Sequence, residues 1–190
     1  MSSPTLPRII AICGRKRTGK DTVAGYISRK YGYTNAKFAE PLKAAVQGLF
    51  GFTDKQLEDD KEVVDETWGI TPREAMQFMG CNFVQYELQK LMPHIGRNFF
   101  IKSLLHRHKK NRIVISDLRF LHEYEAIAQE PDSLVIKLVR PSADNGDTHI
   151  SETEVDSVSP KYVIDNTGSL DKLYQRIDEI METELRARRS

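Results

Sequence analysis

Cysteine is nearly missing from this chain of 190 residues: only Cys13 and Cys81 occur. Two thiols, one of them inside an apolar run, make no disulfide framework and no Cys-rich metal cluster, so a reducing, cytoplasmic setting is expected, the host cytoplasm if the source is viral. Long apolar runs are missing too. No stretch approaches the ~20 apolar residues that span a bilayer, and Met1 to Pro7 carries Ser and Pro instead of the apolar core of a signal peptide, so a soluble protein without a membrane partner is expected. Net charge is almost absent, because 28 Lys plus Arg face 27 Asp plus Glu and leave +1. Such a balance creates no global field for nucleic acid; it predicts small anions bound locally and no nucleic-acid partner. His94, His106, His108, His122 and His149 fall into no ligand spacing.

What is present is Cys13-Gly14-Arg15-Lys16-Arg17-Thr18-Gly19-Lys20-Asp21-Thr22, a GxxxxGK phosphate-binding loop directly after an apolar run. Arg8 to Cys13 is short and β-branched, as a buried parallel strand should be, and Asp21 to Tyr31 reads as a helix with Val23, Ala24 and Ile27 on one side. Strand, loop and helix come in the required order. Gly14 and Gly19 let the backbone curl so that successive amides point at a phosphate, while the new helix presents its positive end. Lys20 supplies a mobile charge for the β and γ phosphates. One departure stands out: Asp21 replaces the Ser or Thr whose hydroxyl ordinarily touches Mg²⁺, and Thr22 follows one step later. Asp21 is therefore the candidate metal residue, meeting the ion directly or through water. Its negative charge near the phosphates is offset by Arg15, Lys16 and Arg17, or those three are simply a solvated loop face.

Downstream, Tyr33 to Ala39 reads as a second strand and Leu42 to about Phe50 as a helix, with Pro41 in its first turn and Lys43 just inside. Asp54 to Glu66 is strongly charged and suits a surface insertion ended by Trp68 and Gly69, the Trp being either a packing anchor or an aromatic rim. Thr71-Pro72-Arg73-Glu74 is a capping box opening a helix whose apolar side is Ala75, Met76, Phe78 and Met79. Arg73 sits in its first turn, where a cation opposes the helix dipole unless an anion binds or a carboxylate of Glu74 or the acidic insertion pairs with it. A second short helix is predicted over Asn82 to Leu91, and another over Phe99 to His108. Arg112 to Asp117 is a buried strand, and Asp117-Leu118-Arg119 lies at its C-terminal edge, where open α/β sheets hold ligands; a capping Asp beside a structural Arg is the alternative. A helix at Leu121 to Gln129 and a strand at Ser133 to Val139 follow, then Arg140-Pro141. Ser142 to Ser159 is polar and fits a flap. A fifth strand spans Lys161 to Asn166, and an amphipathic helix closes the chain over Leu170 to Leu185. The β/α alternation predicts a doubly wound parallel sheet in one domain over 1–190, with a helical substrate region at about 40–98 and a lid at about 141–159.

The loop, Phe38-Ala39-Glu40-Pro41-Leu42-Lys43, Thr71-Pro72-Arg73, Ser116-Asp117-Leu118-Arg119-Phe120, His149-Ile150-Ser151-Glu152 and Asp165-Asn166-Thr167-Gly168 occur in the order of the phage-type deoxynucleoside monophosphate kinases, which this chain resembles over nearly its whole length. The resemblance implies a three-layer P-loop kinase fold with five parallel strands, a helical insertion for the monophosphate and a lid. It implies transfer of the γ-phosphate of ATP, with Mg²⁺, to a deoxynucleoside monophosphate. Catalytic roles then fall to Lys20, Arg73, Asp117, Arg119 and Arg140. Nucleotide contacts fall to residues 14 to 22, with Asn166 and Gly168 against the adenine. Acceptor contacts fall to Lys43, Trp68, Arg73, Gln77, Arg119, Ser151 and Glu152. The Gly-Lys-Asp loop, Pro-Leu-Lys and Ser-Asp-x-Arg also look like animal phosphomevalonate kinases, so a different phosphate acceptor stays open. Dephospho-coenzyme A kinases share the Asn-x-Gly close but carry Ser after the loop Lys. A non-enzymatic P-loop switch would use the same loop, though the guanine-reading Asn-Lys-x-Asp is missing. Small-molecule nucleotides are the expected partners, and a homodimer is left open.

Overall fold

The structure is a computed structural model that describes residues 5–141 and 153–188. Five strands, β1 (Ile9–Cys13), β2 (Thr34–Ala36), β3 (Ile113–Leu118), β4 (Ser133–Val139) and β5 (Tyr162–Asp165), form one sheet in the order β2-β3-β1-β4-β5. Every neighbouring pair is parallel. The α/β parallel-sheet expectation is met. β1 is central and its five residues are all buried, which is why Ile9-Ile10-Ala11-Ile12-Cys13 reads as a continuous apolar run without alternation.

The helices are α1 (Lys20–Tyr31), α2 (Glu40–Phe50), α3 (Asp54–Glu58), α4 (Pro72–Gln77), α5 (Leu88–Leu91), α6 (Phe99–Arg107), α7 (Leu121–Ala128) and α8 (Leu170–Ala187). The chain divides into two compact units, Met1–Lys37 with Leu105–Ser190, and Phe38–Leu104. In the first, Ile10, Ile12, Val114, Leu134 and Ile136 of the sheet pack with Val23 and Ile27 of α1 and with Leu173, Ile177 and Ile180 of α8. Burying side chains of this size stabilises by about 1.5–3 kcal/mol each. Asp178 of α8 pins α1 to it, accepting from Tyr26 at 2.8 Å, Tyr31 at 2.6 Å and Lys30 at 2.7 Å, while Tyr26 stacks on Tyr174.

The second unit has a smaller core of Val46, Phe52, Leu57 and Ala75, flanked by Leu42, Phe50, Met76 and Met79. Its Thr71 hydroxyl accepts from the Glu74 amide at 3.1 Å and Glu74 accepts from the Thr71 amide at 2.8 Å, the reciprocal box read in the sequence. Three expectations need correction. α4 passes at Phe78 into a π-helix, Phe78–Glu87, and α5 follows with no break at Asn82. Phe78 is not on the buried side: it is 60 % exposed, while Ala75 of α4 is buried. β2 is also shorter than Tyr33 to Ala39, since its pairing with β3 runs only from Thr34 to Ala36.

Candidate active site

β1 ends at Cys13 and α1 begins at Lys20, so the loop between them lies at the C-terminal edge of the sheet, where β3 and β4 flank β1. Gly14, Arg17 and Gly19 have φ of 142°, 64° and 100°. These turns curl the amides into an anion-binding concavity. A Cβ on Gly14 would stand 2.4 Å from the Leu138 carbonyl oxygen, so only glycine fits against β4. The buried Thr18 hydroxyl donates to the Arg15 carbonyl at 2.8 Å. Lys20 is buried as well. Its Nζ donates at 2.7 Å to the Gly14 and Arg15 carbonyls, so its ammonium is held over the loop it serves. Beneath, burial pushes the Cys13 thiol up to about 11 despite Lys137 and Lys20, which keeps it protonated and inert.

Asn166, just past β5, closes the loop from the other side. Its amide donates to the Thr18 carbonyl at 2.8 Å, its backbone N–H donates to Val139 at 2.8 Å, and the side chain is buried. A Cβ on Gly19 would sit 2.7 Å from the Asn166 Nδ2, so the glycine and the asparagine require each other. The Asn166 amide thus has a partner within the protein, the loop backbone at Thr18. Gly168 lines an open cavity of about 310 Å³ between the end of β5 and α8, with Thr167, Ser169, Lys172 and Arg176.

Asp21 opens α1 with its side chain toward the sheet edge. Its Oδ1 accepts from Ser116 Oγ at 2.9 Å and from Lys37 Nζ at 2.9 Å. Burial pushes the Asp21 carboxyl up, but the Lys37 and Ser116 hydrogen bonds and the Lys20 charge outweigh it and hold the group below the usual carboxylate range. Neither Lys37 nor Ser116 was singled out as a site residue from the sequence. The signal was the acid itself, which needs a cation, but the cation is sixteen residues away and reached only through the sheet. A carboxylate beside a hydroxyl suits a hard cation. Among the described residues no group of three or more His, Cys, Asp or Glu could hold a metal alone.

Cys13 pairs with Leu118 in the sheet, which sets Asp117 and Arg119 at the edge beside the loop. The Arg119 and Phe120 amides donate at 2.9 and 3.0 Å to buried Glu123, whose carboxyl burial pushes up to about 7. Arg140 is exposed one residue past β4. Ser151 and Glu152 lie outside the described residues. The C-terminal part of the expected lid is described and anchored: Glu154–Ser157 forms a 3₁₀ turn, Val155 and Val158 are buried, and Glu154 accepts from the Leu121 amide at 3.0 Å. From that turn Asp156 takes a two-pronged pair from Arg15, at 2.7 and 3.2 Å, which holds the Asp156 carboxyl low. Lys16 and Arg17 are exposed on the loop, and Thr22 on α1.

In the helical unit, the cations expected to meet the acceptor are paired. Arg73 Nε donates to Glu62 of the acidic insertion, which is the ion-pair alternative of the sequence reading. Lys43 pairs with Glu58. Trp68 is a packing anchor, its indole N–H donating to the Phe50 carbonyl at 2.8 Å and its ring meeting Phe50 edge-on. Gln77 is exposed at the end of α4.

This geometry agrees with what comparison with known proteins finds. The family described as deoxynucleotide monophosphate kinase matches residues 8–66 and 49–177. A protein of Acanthamoeba polyphaga mimivirus, inferred to be such a kinase, is 33 % identical over 181 residues, covering 89 % of this chain and 93 % of its own. The deoxynucleotide monophosphate kinase of Enterobacteria phage T4 is 25 % identical, covering 92 % and 99 %. In fold, the chain is similar to shikimate kinase from Aquifex aeolicus at a TM-score of 0.50 and 14 % identity, over 92 % of this chain and 96 % of that one. A kinase fold, a complete phosphate loop and matches along most of the length agree, and the chain belongs to the deoxynucleotide monophosphate kinase family, a family of phosphotransferases.

Proposed function

We propose that the protein transfers the γ-phosphoryl group of ATP, with Mg²⁺, to a deoxynucleoside monophosphate and releases ADP and the deoxynucleoside diphosphate. The observation that carries this reading is the preformed loop: three positive-φ residues, an ammonium folded over them and Asp21 at the first turn of α1. The acceptor oxygen is already anionic, so no covalent enzyme intermediate is needed and the work is alignment and charge neutralisation.

In this reading the loop amides bind the β and γ phosphates of ATP, and Lys20 exchanges the Gly14 and Arg15 carbonyls for phosphate oxygens, following the γ-phosphoryl group as its charge spreads. Asp21 and Ser116 would hold Mg²⁺. When bound, that ion would neutralise the charge that develops on the transferring phosphoryl group. Arg119 and Arg140, and in the helical unit Arg73 and Lys43, each grip anionic oxygen, the arginines with a planar fork that an ammonium lacks. Asp117 orients groups at the sheet edge, Gln77 offers an amide to the acceptor, and Ser151 and Glu152 are proposed as further acceptor contacts.

A panel of acceptors incubated with ATP and Mg²⁺ and scored for ADP tests this: deoxynucleoside monophosphates, ribonucleoside monophosphates, phosphomevalonate and dephospho-coenzyme A. The expected result is turnover with one or more deoxynucleoside monophosphates and little with the last two. Turnover with phosphomevalonate alone, or GTP binding with no acceptor used, would replace the proposal.

A further inference from the structure

An acid directly after the loop lysine sets an electrostatic problem. Asp21 places a negative charge at the rim of a concavity built for phosphates, and like charges there repel. Lys20 offsets it only in part, because its Nζ lies on the Gly14 and Arg15 carbonyls. The sheet brings another cation. Ala36, the last residue of β2, pairs with Ile115 of β3, so the following residues, Lys37 and Ser116, emerge side by side at the C-terminal edge. Both donate to the same Asp21 Oδ1 at 2.9 Å.

We propose that Lys37 is a built-in counter-ion for Asp21, balancing that carboxylate while no metal is present and yielding the oxygen when a divalent cation arrives, so that Lys37 sets how strongly nucleotide binding depends on the metal. The inference rests on the metal-side reading of Asp21 above. Lys37 and Ser116 together occupy both lone-pair sites of Oδ1, so an ion that takes this oxygen displaces one of them, and like charge makes it the ammonium. The pair is not a stability device. The Asp21 side chain is 74 % exposed and that of Lys37 45 %, and ion pairs so exposed contribute little to folding. Removing the Lys37 charge should therefore leave the fold intact and act on binding.

The experiment measures the dissociation constant of ADP by calorimetry, once in EDTA and once in saturating Mg²⁺, for wild type, Lys37→Met, Lys37→Arg, Asp21→Asn and the Lys37→Met/Asp21→Asn double variant. The quantity read is the ratio of the metal-free to the Mg²⁺ value. Lys37→Met should raise that ratio about fivefold or more, chiefly by weakening metal-free ADP, because an unbalanced carboxylate then faces the phosphates. Lys37→Arg should keep the wild-type ratio. Asp21→Asn should lower it, and the double variant should match Asp21→Asn, since a counter-ion has no role without its charge. A wild-type ratio in Lys37→Met, with a lowered ratio in Asp21→Asn, would overturn the counter-ion role and leave the metal-side reading standing. An unchanged ratio in Asp21→Asn would overturn both. Loss of ADP binding by Lys37→Met in both conditions, with an unaltered melting temperature, would also overturn it and mark Lys37 as a direct phosphate ligand.

Discussion

The two units of the molecule satisfy their polar groups in different ways. In the sheet unit the buried polar groups around the loop are met by backbone, Lys20 by two carbonyls, Asn166 by a third and Glu123 by two amides, while the more exposed Asp21 and Arg15 meet side chains. In the helical unit the corresponding cations are met by side chains, Arg73 by Glu62 and Lys43 by Glu58. The cores differ in the same sense, with β1 wholly buried in one unit and Phe78 and Leu91 60 % and 77 % exposed in the other. Backbone partners are fixed by the fold, whereas an exposed ion pair is worth only about 0–1 kcal/mol and exchanges readily for a ligand phosphate. The comparison teaches that the buried groups at the loop are fixed by the fold's own backbone while the helical unit keeps Arg73 and Lys43 on exposed, replaceable carboxylates.

The most severe break in that comparison is loss of the loop charge. Lys20→Ala should lower kcat by about a hundredfold to a thousandfold, the range seen when a preorganised charge-stabilising donor is removed, with circular dichroism and melting temperature near wild type. Unchanged kcat in the folded variant would remove Lys20 from the mechanism.

Next come the two arginines proposed to grip the acceptor. Arg73→Ala and Arg119→Ala each lose charge-assisted hydrogen bonds of about 1.5–3 kcal/mol, so the acceptor KM should rise or kcat fall by about tenfold or more, while ATP affinity barely moves. Arg→Lys should recover only part of this. Glu62→Gln sharpens the test, because it frees Arg73 without removing it: acceptor KM should hold or fall. A lowered melting temperature with normal acceptor kinetics in Arg73→Ala would make the Glu62 pair structural and withdraw the assignment.

Asn166→Ala should be milder and opposite in kind. It leaves the Thr18 carbonyl without its donor, at a cost of about 1–3 kcal/mol, and should weaken ATP while sparing the acceptor KM. Equal loss on both substrates would contradict a role confined to the loop.

The smallest effect expected is on pH. Glu123 is pushed up from the usual 4.5 to about 7 by burial. A raised folded value means that its contribution to stability is complete below about pH 4.5 and is lost as pH climbs through 7. Glu123→Gln keeps an acceptor for the Arg119 and Phe120 amides but cannot ionise, so thermal melts between pH 5 and 8 should show a flatter profile than wild type. Parallel profiles would place the charge of Glu123 elsewhere in the balance.

How much of this was legible in the sequence follows from the range of the interactions. The strand–loop–helix at Ile9 to Tyr31 and the capping box at Thr71 to Glu74 are set by neighbours a few residues apart, so pattern and chemistry revealed them. The Lys37–Ser116–Asp21 cluster is set by the register of β2 on β3, which no local pattern specifies. The Arg15–Asp156 pair joins residues 141 positions apart and was equally invisible. The π-helix escaped because Phe78 to Glu87 has no composition that distinguishes five-residue from four-residue bonding; its signature is the placement of Phe78, Asn82, Phe83, Tyr86 and Glu87 along one open groove, which exists only once the chain is wound. Asn166 was expected against the adenine, and its hold on the Thr18 carbonyl was not legible, because a backbone partner leaves no trace in the side-chain sequence.

The central claim is that phosphate passes from the loop to an acceptor monophosphate and not to water. A single-turnover reaction with ATP labelled at the γ-phosphate, Mg²⁺ and a mixture of deoxynucleoside monophosphates, resolved by chromatography, tests it most directly: the account predicts label in the β position of a deoxynucleoside diphosphate, absent with Lys20→Ala, whereas label appearing only as inorganic phosphate would contradict it.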